Sequence, residues 1–258
     1  MEKLTVVGHG PLLFKDLSPR TRPCRPDFMI DPLREVEAYQ SLLAGLDTPA
    51  LYGAVVQPGR VWLFLELVDG IPLWQAEAPD AWEAAARWLA RLHARALPDG
   101  SHLLHYDAGY LRRWLERADA IAPAGTVAGL RSPVLRAVER LSCWPRAFVH
   151  GEYYPSNVLV HGARIRPVDW ETGGIGPGLL DLAALTAGVW EPMRQARIVA
   201  AYRDELPALP DDFEAVLDAA RLLVAVQWLG WSQTWSPPPE HRHDWAADAR
   251  TYAARVVA

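Results

Sequence analysis

Short runs of alternating or β-branched apolar residues mark the strands of this 258-residue chain. Four such runs fall in the first quarter of the sequence, and another group surrounds a polar loop near residue 150. Strands are predicted at residues 4–16, as two segments around a Gly-His-Gly-Pro turn, and at 51–56, 60–68, 147–149, 157–161 and 164–168. The last two segments are separated by His161-Gly162-Ala163, which predicts a β-hairpin.

Helical periodicity dominates the rest of the chain. From Asp80 to Ala96 the apolar residues recur on one face, as in a strongly amphipathic helix. Asp31 followed by Pro32 predicts the start of an earlier helix that ends at Gly45. Further helices are predicted at residues 109–121, 133–142, 179–188, 192–206, 211–231 and 243–257. The pattern therefore predicts an α+β fold, with the strands early and around residue 150 and the helices elsewhere.

Composition is that of an ordinary globular protein, with 50% apolar and 22% charged residues. Cys24 and Cys143 have no CxxC spacing, which favours a reduced, cytoplasmic setting. The first ten residues hold too short an apolar run for a signal peptide. The longest uncharged stretch, residues 222–239, contains Gln, Ser, Thr and three prolines, so we expect no membrane span.

The net negative charge of the protein lies in the last third of the chain. Residues 1–169 carry 19 acidic and 19 basic side chains, whereas residues 170–258 carry 12 acidic and 7 basic ones. Nucleic-acid binding favours the opposite sign, so we expect no nucleic-acid partner. A polar or cationic small molecule matches this charge better, and a solvated acidic face is an equally open interpretation.

The stretch from His150 to Glu171 holds the most informative polar residues. Glu152 and Asn157 lie five residues apart on one loop, and Asp169 follows the second hairpin strand. A carboxylate that accepts a hydroxyl proton, together with two oxygen ligands for a hard cation, is the set that phosphoryl transfer requires.

This stretch resembles the catalytic core of the aminoglycoside phosphotransferase and choline kinase-like family. The family pattern is H-G-D-x-x-x-x-N followed by a strand that ends in Asp, and this chain has His150-Gly151-Glu152, then Asn157, then Asp169-Trp170-Glu171. The resemblance implies that Glu152 is the catalytic base, that Asn157 and Asp169 hold Mg²⁺, with Asp169 also counted as catalytic, and that His150 orders the loop. The family has aspartate where this chain has Glu152. The extra methylene displaces the carboxylate by roughly an ångström, which can cost about a hundredfold in rate.

The resemblance extends to the amino-terminal strands. Lys15, one of two lysines in the chain, stands in the second strand, where the family has a lysine that holds the α- and β-phosphates of ATP. An edge-strand lysine without that role is the alternative. The family pairs this lysine with a helix glutamate, and we choose Glu35 over Glu37 because Glu35 shares a helix face with Tyr39 and Leu42.

The run at residues 60–68 ends in Asp69-Gly70 and resembles the hinge between the two lobes of the family. The resemblance implies that adenine bonds to the backbone near Glu66 and Val68. The GxG spacing of Gly8 and Gly10 is a separate candidate for a turn that covers the phosphates. We therefore expect a two-lobed protein-kinase-like fold, with an abbreviated nucleotide-binding lobe at residues 1–68 and a mainly helical catalytic and substrate-binding lobe at 69–258.

Other residues receive less definite roles. The resemblance implies that Asp181 braces the catalytic loop, whereas Glu171 either assists a second metal or faces solvent. His102 and His105 form an HxxH pair that lacks a third zinc ligand of matching spacing. The helical lobe of the family forms the acceptor pocket. Candidate wall and contact residues there are Trp228, Trp231, Trp235, Trp245, Asp211, Asp212, Glu214 and Asp218, although core packing is the more common role of such tryptophans.

The resemblance therefore implies an ATP- and Mg²⁺-dependent phosphotransferase that acts on a hydroxyl of a small molecule. The leading acceptor class, an aminoglycoside or another amino-sugar-like molecule, rests on the resemblance and on the acidic last third of the chain. One alternative is a catalytically weak or inactive relative that binds nucleotide or a metabolite. Another is a metal-dependent hydrolase that uses His150, His161 and Asp169.

Overall fold

An antiparallel sheet of four strands forms the amino-terminal part of the computed structural model, which describes residues 2–5, 11–18, 25–78, 80–206, 210–231 and 242–257. The strands are β1 (Glu2–Thr5), β2 (Pro11–Asp16), β3 (Leu51–Gln57) and β4 (Arg60–Glu66), in the order β1-β2-β4-β3. Every second residue of β4 is buried, as the two-residue period of a strand with one covered face requires. The turn between β3 and β4 contains Gly59 at φ 75°, a value that favours glycine.

The helix that follows the first strand pair is shorter and less regular than its pattern predicts. It comprises α1 (Arg34–Glu37), which continues directly into a π-helical turn (Ala38–Leu42). Asp31 does not cap the helix itself, because its carboxylate accepts the N–H of Leu33 at 2.9 Å in the turn before α1. A short 3₁₀ turn (Asp27–Met29) precedes this segment.

Seven further helices lie at or within a few residues of their predicted positions. They are α2 (Ala81–His93), α3 (Ala108–Ile121), α4 (Arg131–Cys143), α5 (Leu179–Leu185), α6 (Pro192–Asp204), α7 (Phe213–Leu229) and α8 (Trp245–Val257). Helix α7 is the centre of this part, because α3, α4, α5 and α8 all pack against it. Its sequence is accordingly apolar on most sides.

Two small sheets position the polar loop near residue 150. The predicted strands β7 (Arg146–Val149), β8 (Val158–His161) and β9 (Arg164–Pro167) are present, and β8 pairs with β9 as an antiparallel hairpin. Three strands were not predicted: β5 (Ile71–Pro72), which pairs with β8, β6 (Leu104–His105), and β10 (Gly174–Pro177), which lies between β6 and β7. The polar loop therefore leaves the end of β7 and enters β8 between two sheets.

None of the helices in the described ranges has the length and apolar character needed to cross a bilayer. The proposed turn at Gly8 and Gly10, Cys24 and Trp235 lie outside the described residues.

Candidate active site

A buried carboxylate fixes the start of the polar loop. Asp181, in the first turn of α5, accepts the backbone N–H of His150 at 2.7 Å and that of Gly151 at 2.8 Å. Its side chain is fully buried. Because a carboxylate in such a place is stable only when its oxygens are bonded, these two contacts hold the loop firmly on α5. The predicted bracing role of Asp181 is thus visible in the geometry.

Gly151 is required where the chain turns from β7 into the loop. Its φ is 84°, and an added Cβ would overlap the hydroxyl of Tyr106 and lie 2.5 Å from the carbonyl oxygen of Thr172. The Tyr106 hydroxyl itself donates to that carbonyl at 2.7 Å. Glycine is needed here both for its backbone angle and for space.

His150 connects the loop to the strand that carries Asp169. The ring is fully buried, and its Nε2 lies 2.9 Å from the carbonyl oxygen of Val168. Its Nδ1 faces the N–H of Glu152 at 3.3 Å. Burial lowers the pKa of His150, so the imidazole is neutral, donates from Nε2 and accepts at Nδ1. This arrangement suits a residue that orders the loop.

Glu152 and Asn157 face each other across the loop. The side-chain amide of Asn157 donates from Nδ2 to the carbonyl oxygen of Glu152 at 2.9 Å, which leaves its Oδ1 available as a ligand atom. Glu152 as a whole residue is 7% exposed. Burial raises the pKa of Glu152, and the nearby charge of Arg25 only partly offsets that rise.

Asp169 has an unusual backbone. Its φ of 68° is the single positive value found at a non-glycine residue in the described ranges. Aspartate tolerates this region better than most residues, but a cost of about 1 kcal/mol or more is expected. Such strain at a polar residue is typical of functional sites, where the surrounding structure fixes the side chain.

Lys15 lies between Asp169 and Glu35. Its Nζ is 2.8 Å from Oδ1 of Asp169 and 2.7 Å from each carboxylate oxygen of Glu35. Lys15 is 4% and Glu35 1% exposed. Burial alone would lower the pKa of Lys15, but the charges of Asp169 and Glu35 outweigh it and raise that pKa, so the ammonium is permanent.

Glu37 faces elsewhere on the same helix. Its carboxylate accepts the backbone N–H groups of Ser101 at 2.7 Å and His102 at 2.9 Å. The structure therefore places Glu35, the residue chosen from the helix face, against Lys15.

One group of side chains has the geometry of a cation site. Carboxylate oxygens of Glu35, Asp169 and Glu171 lie within 4.8 Å of one another, the sole such group of His, Cys, Asp and Glu ligands in the described part of the chain. These carboxylate oxygens are hard donors of the type that Mg²⁺ prefers, and Oδ1 of Asn157 is a donor of the same type. Neither His150 nor His161 belongs to the group, so the structure lends no support to a histidine-based metal hydrolase.

Arg25 is a site residue that the sequence analysis missed. Its Nη2 contacts Oε1 of Glu171 and lies 3.5 Å from Oε2 of Glu152. Glu171 is 8% exposed and so does not face solvent, which corrects one of its two expected roles. Arg25 stands in a proline- and arginine-rich connector with no local signal that separates it from its neighbours.

The expected hinge is joined to the β8–β9 hairpin. Arg166 on β9 forms an ion pair with Glu66 at 2.6 Å, and the backbone N–H of Glu66 donates to Ala50 at 2.8 Å. An adenine at this segment therefore has to use backbone groups other than that N–H. Val68 is half-buried beside the hinge.

Aromatic rings cover the far side of the loop. Trp228 stacks on Trp245 with ring centroids 5.2 Å apart, and meets Tyr154 edge to face at 5.4 Å. Trp231 stacks on Trp114 at 6.0 Å. Trp228, Trp231 and Trp245 are therefore partly buried and pack against the core, and Trp228 also contacts Tyr154 of the loop.

The acidic residues proposed as acceptor contacts lie away from these rings. Glu214 pairs with Arg203 at 3.2 Å and Asp218 with Arg221 at 2.9 Å. Both precede Trp228 on α7 by ten residues or more, which is about 15 Å or more along a helix axis. The structure therefore does not bring them to the site. The sequence pattern predicts that these acids lie at this helix, but it does not indicate which end of the helix faces the loop.

A protein-kinase-like phosphotransferase is the class defined by the mixed fold, by the polar loop that Asp181 holds, and by the buried ion pair of Lys15 with Glu35. The model of the phosphotransferase enzyme family matches residues 29–223, more than half of the chain, and the protein belongs to that family. A search of curated proteins finds no match.

Solved structures show the same fold at low identity. A choline kinase from Streptococcus pneumoniae is 16% identical with a TM-score of 0.66, over 96% of this chain and 86% of that one. A choline/ethanolamine kinase family protein from Mesorhizobium loti is 19% identical with a TM-score of 0.61, over 95% and 81%. An aminoglycoside phosphotransferase from Streptomyces rimosus, solved with ADP and streptomycin, is 18% identical with a TM-score of 0.60, over 84% and 87%.

Proposed function

We propose that the protein transfers the γ-phosphoryl group of ATP to a hydroxyl of a small molecule. The observation that carries this proposal is the contact of the buried Lys15 with Glu35 and with the partly exposed Asp169, beside the loop of Glu152 and Asn157. A lysine, a helix glutamate and an aspartate held together at the edge of a base-bearing loop are the parts that phosphoryl transfer uses for positioning and charge neutralisation. Family membership agrees with the reaction class.

In this proposal Lys15 holds the α- and β-phosphates as a compact positive charge. Its present contact with Asp169 at 2.8 Å has to open when nucleotide arrives, because the phosphate oxygens then take that place on the ammonium. Glu35 keeps Lys15 in position throughout. Asp169 and Asn157 are the proposed ligands of Mg²⁺, which would supply positive charge to neutralise the phosphates.

Glu152 is the proposed base. It takes the proton of the acceptor hydroxyl, and the burial that raises its pKa also makes it a stronger proton acceptor than an exposed glutamate. The loop that carries it is fixed by Asp181 and His150. Positioning by these residues counteracts the displacement that the longer side chain of glutamate introduces.

The acceptor is proposed to be a polar or cationic alcohol, with an amino sugar as the leading class. Aromatic rings near Tyr154, the two carboxylates Glu152 and Glu171, and the excess negative charge of residues 170–258 support it. The similar structures are a choline kinase and an aminoglycoside phosphotransferase by name, which points the same way.

Acceptor-dependent formation of ADP from Mg-ATP tests the proposal, with choline and streptomycin as first probes and a wider set of amino alcohols and amino sugars after them. Glu152→Gln retains the shape of the side chain and removes its ability to take a proton, so we expect its rate to fall by about a hundredfold or more with nucleotide binding preserved. A variant as active as wild type would overturn the role of Glu152.

An inactive nucleotide-binding relative is the second candidate. Arg25 lies against the carboxylate of Glu152, and Lys15 is bonded to Asp169, so both groups have partners in the ligand-free protein. Stabilisation by Mg-ATP without ADP formation across the full acceptor set would favour this candidate over the enzyme.

A further inference from the structure

Arg25 is a cation inserted among the groups that an acceptor would contact. Its guanidinium touches the carboxylate of Glu171, lies 3.5 Å from that of Glu152, and stands over the ring of Trp231, 5.5 Å from its centroid. The Arg25 side chain is 17% exposed and each of the two glutamates 9%. Two carboxylates and an aromatic face around one cation form a site that is electrostatically complementary to positive charge.

The ring beneath Arg25 is firmly held. Trp231 stacks on Trp114, and its carbonyl oxygen accepts from both Nε and Nη2 of Arg117, at 3.3 and 3.2 Å. One wall of the cation site is therefore formed by a fixed aromatic group that remains if the guanidinium leaves.

The acceptor hydroxyl and the Arg25 guanidinium both need a place beside the carboxylate of Glu152, where Nη2 of Arg25 lies 3.5 Å from Oε2. The acceptor hydroxyl has to come within about 2.6–3.2 Å of the Glu152 carboxylate. Arg25 now lies beside that same group. Catalysis at Glu152 therefore requires the guanidinium to move.

The segment that follows Arg25 indicates what moves. The carbonyl oxygen of Met29 accepts from Nη1 of Arg34 at 2.8 Å, and the same nitrogen donates to the carbonyl oxygen of Glu171 at 2.7 Å. Since Arg34 ties the backbone of Met29 to that of Glu171, rotation of the Arg25 side chain is the simplest way to open the site.

We propose that Arg25 is an autoinhibitory side chain that holds the acceptor side of the site closed and that the positive group of a cationic alcohol displaces it. The inference rests on the proposed phosphotransferase function, and it adds a mechanism of acceptor selection. A neutral alcohol has no charge with which to replace the guanidinium between the two carboxylates, so the contact favours cationic acceptors.

The test measures the binding of methylguanidinium chloride to Arg25→Ala in the absence of nucleotide. Binding is monitored by tryptophan fluorescence and by the midpoint of thermal unfolding, with sodium chloride at equal ionic strength as the reference. The truncated side chain leaves a cation-sized vacancy that the probe should fill in a saturable manner. We expect binding at least tenfold tighter than to wild type, whose site is occupied by its own arginine.

Arg113→Ala is the matched control, because Arg113 also stands over a ring, that of Phe28 at 5.6 Å, but at the surface. It should respond to methylguanidinium as wild type does. Arg25→Met, which keeps part of the stem, is measured in parallel in case Arg25→Ala does not fold in sodium chloride. The proposal is supported if the probe restores the folding of either variant. It is overturned if no Arg25 variant shows a saturable effect, or if the probe binds wild type equally well. Since no ATP is used, this result is independent of whether phosphate transfer is observed.

Discussion

Glu152 is a buried carboxylate whose ionised form is disfavoured by its surroundings. Burial raises its pKa above the ordinary 4.5, and Arg25 offsets that effect only in part. When the pKa of a group is higher in the folded state than in the unfolded state, the folded state holds the proton more tightly. Raising the pH above the unfolded-state pKa therefore lowers the free energy of unfolding, until the group is ionised in both states. The proposed base therefore reduces stability at neutral pH.

Glu152→Gln should accordingly raise the melting temperature at pH 8. The amide is neutral at all pH values, so the gain over wild type should be largest above the folded pKa and disappear below about pH 4.5, where the carboxyl is protonated in both states. Thermal unfolding of both proteins from pH 4 to 8 measures it. A gain that stays constant across this range would show that ionisation of Glu152 is not the cause.

Individual site residues can be predicted from the sequence when they belong to a motif of fixed spacing or when their residue type is rare in the chain. Glu152, Asn157 and Asp169 follow from the motif, and Lys15 from the scarcity of lysine. Glu35 follows from its helix face, although the same pattern does not exclude Glu37. Arg25 cannot be predicted, since its role depends on where a connector crosses the site in three dimensions and it is one of many arginines.

At the scale of elements, the loop that begins at His150 depends on the close approach of β7, β10 and α5. Gly174 on β10 pairs with Val149 on β7, and Asp181 on α5 holds the loop from the other side. The geometry of this loop is thus a property of three packed elements and not of the loop sequence alone.

Gly151→Ala tests this packing. The added methyl would overlap the Tyr106 hydroxyl at a φ of 84°, so we expect a loss of at least about 3 kcal/mol from backbone strain and overpacking together. Gly125→Ala is the control, because Gly125 has a similar φ of 82° but nothing within 4 Å of the added Cβ, and strain alone costs about 1 kcal/mol. Urea unfolding compares the two, and equal losses would contradict the close approach at Gly151.

Helices and strands are predicted well where a hydrophobic pattern repeats over many residues. They are missed where a short strand forms only because neighbouring strands pair with it. Helices α2 and α3 lie within three residues of their predicted bounds because a dozen or more residues repeat one pattern. Strand β10, with the sequence Gly-Ile-Gly-Pro, has few strand-forming side chains, and is a strand because β6 and β7 flank it. The π-helical turn after α1 has no local signal either.

For the whole molecule, ion pairs join the amino-terminal sheet to the rest. Lys15 reaches Asp169 across 154 residues of sequence, and Glu66 reaches Arg166 across 100. Both contacts end on the segment from β9 to Asp169. A nucleotide that replaces the Lys15–Asp169 contact therefore acts on the junction between the two parts of the fold, and its binding should be visible as a change in overall stability.

Thermal unfolding with and without Mg-ATP tests the central claim most directly. Ligand at a hundredfold excess over its Kd stabilises the folded state by about 2.7 kcal/mol, which is roughly 5 °C for a chain of this size. We expect this shift in wild type and in Lys3→Met, which alters an exposed lysine, and not in Asp169→Asn, since asparagine tolerates the positive φ but lacks the charge for the metal. A shift in all three proteins would contradict the role of Asp169, and no shift in wild type at millimolar Mg-ATP would contradict the nucleotide site itself.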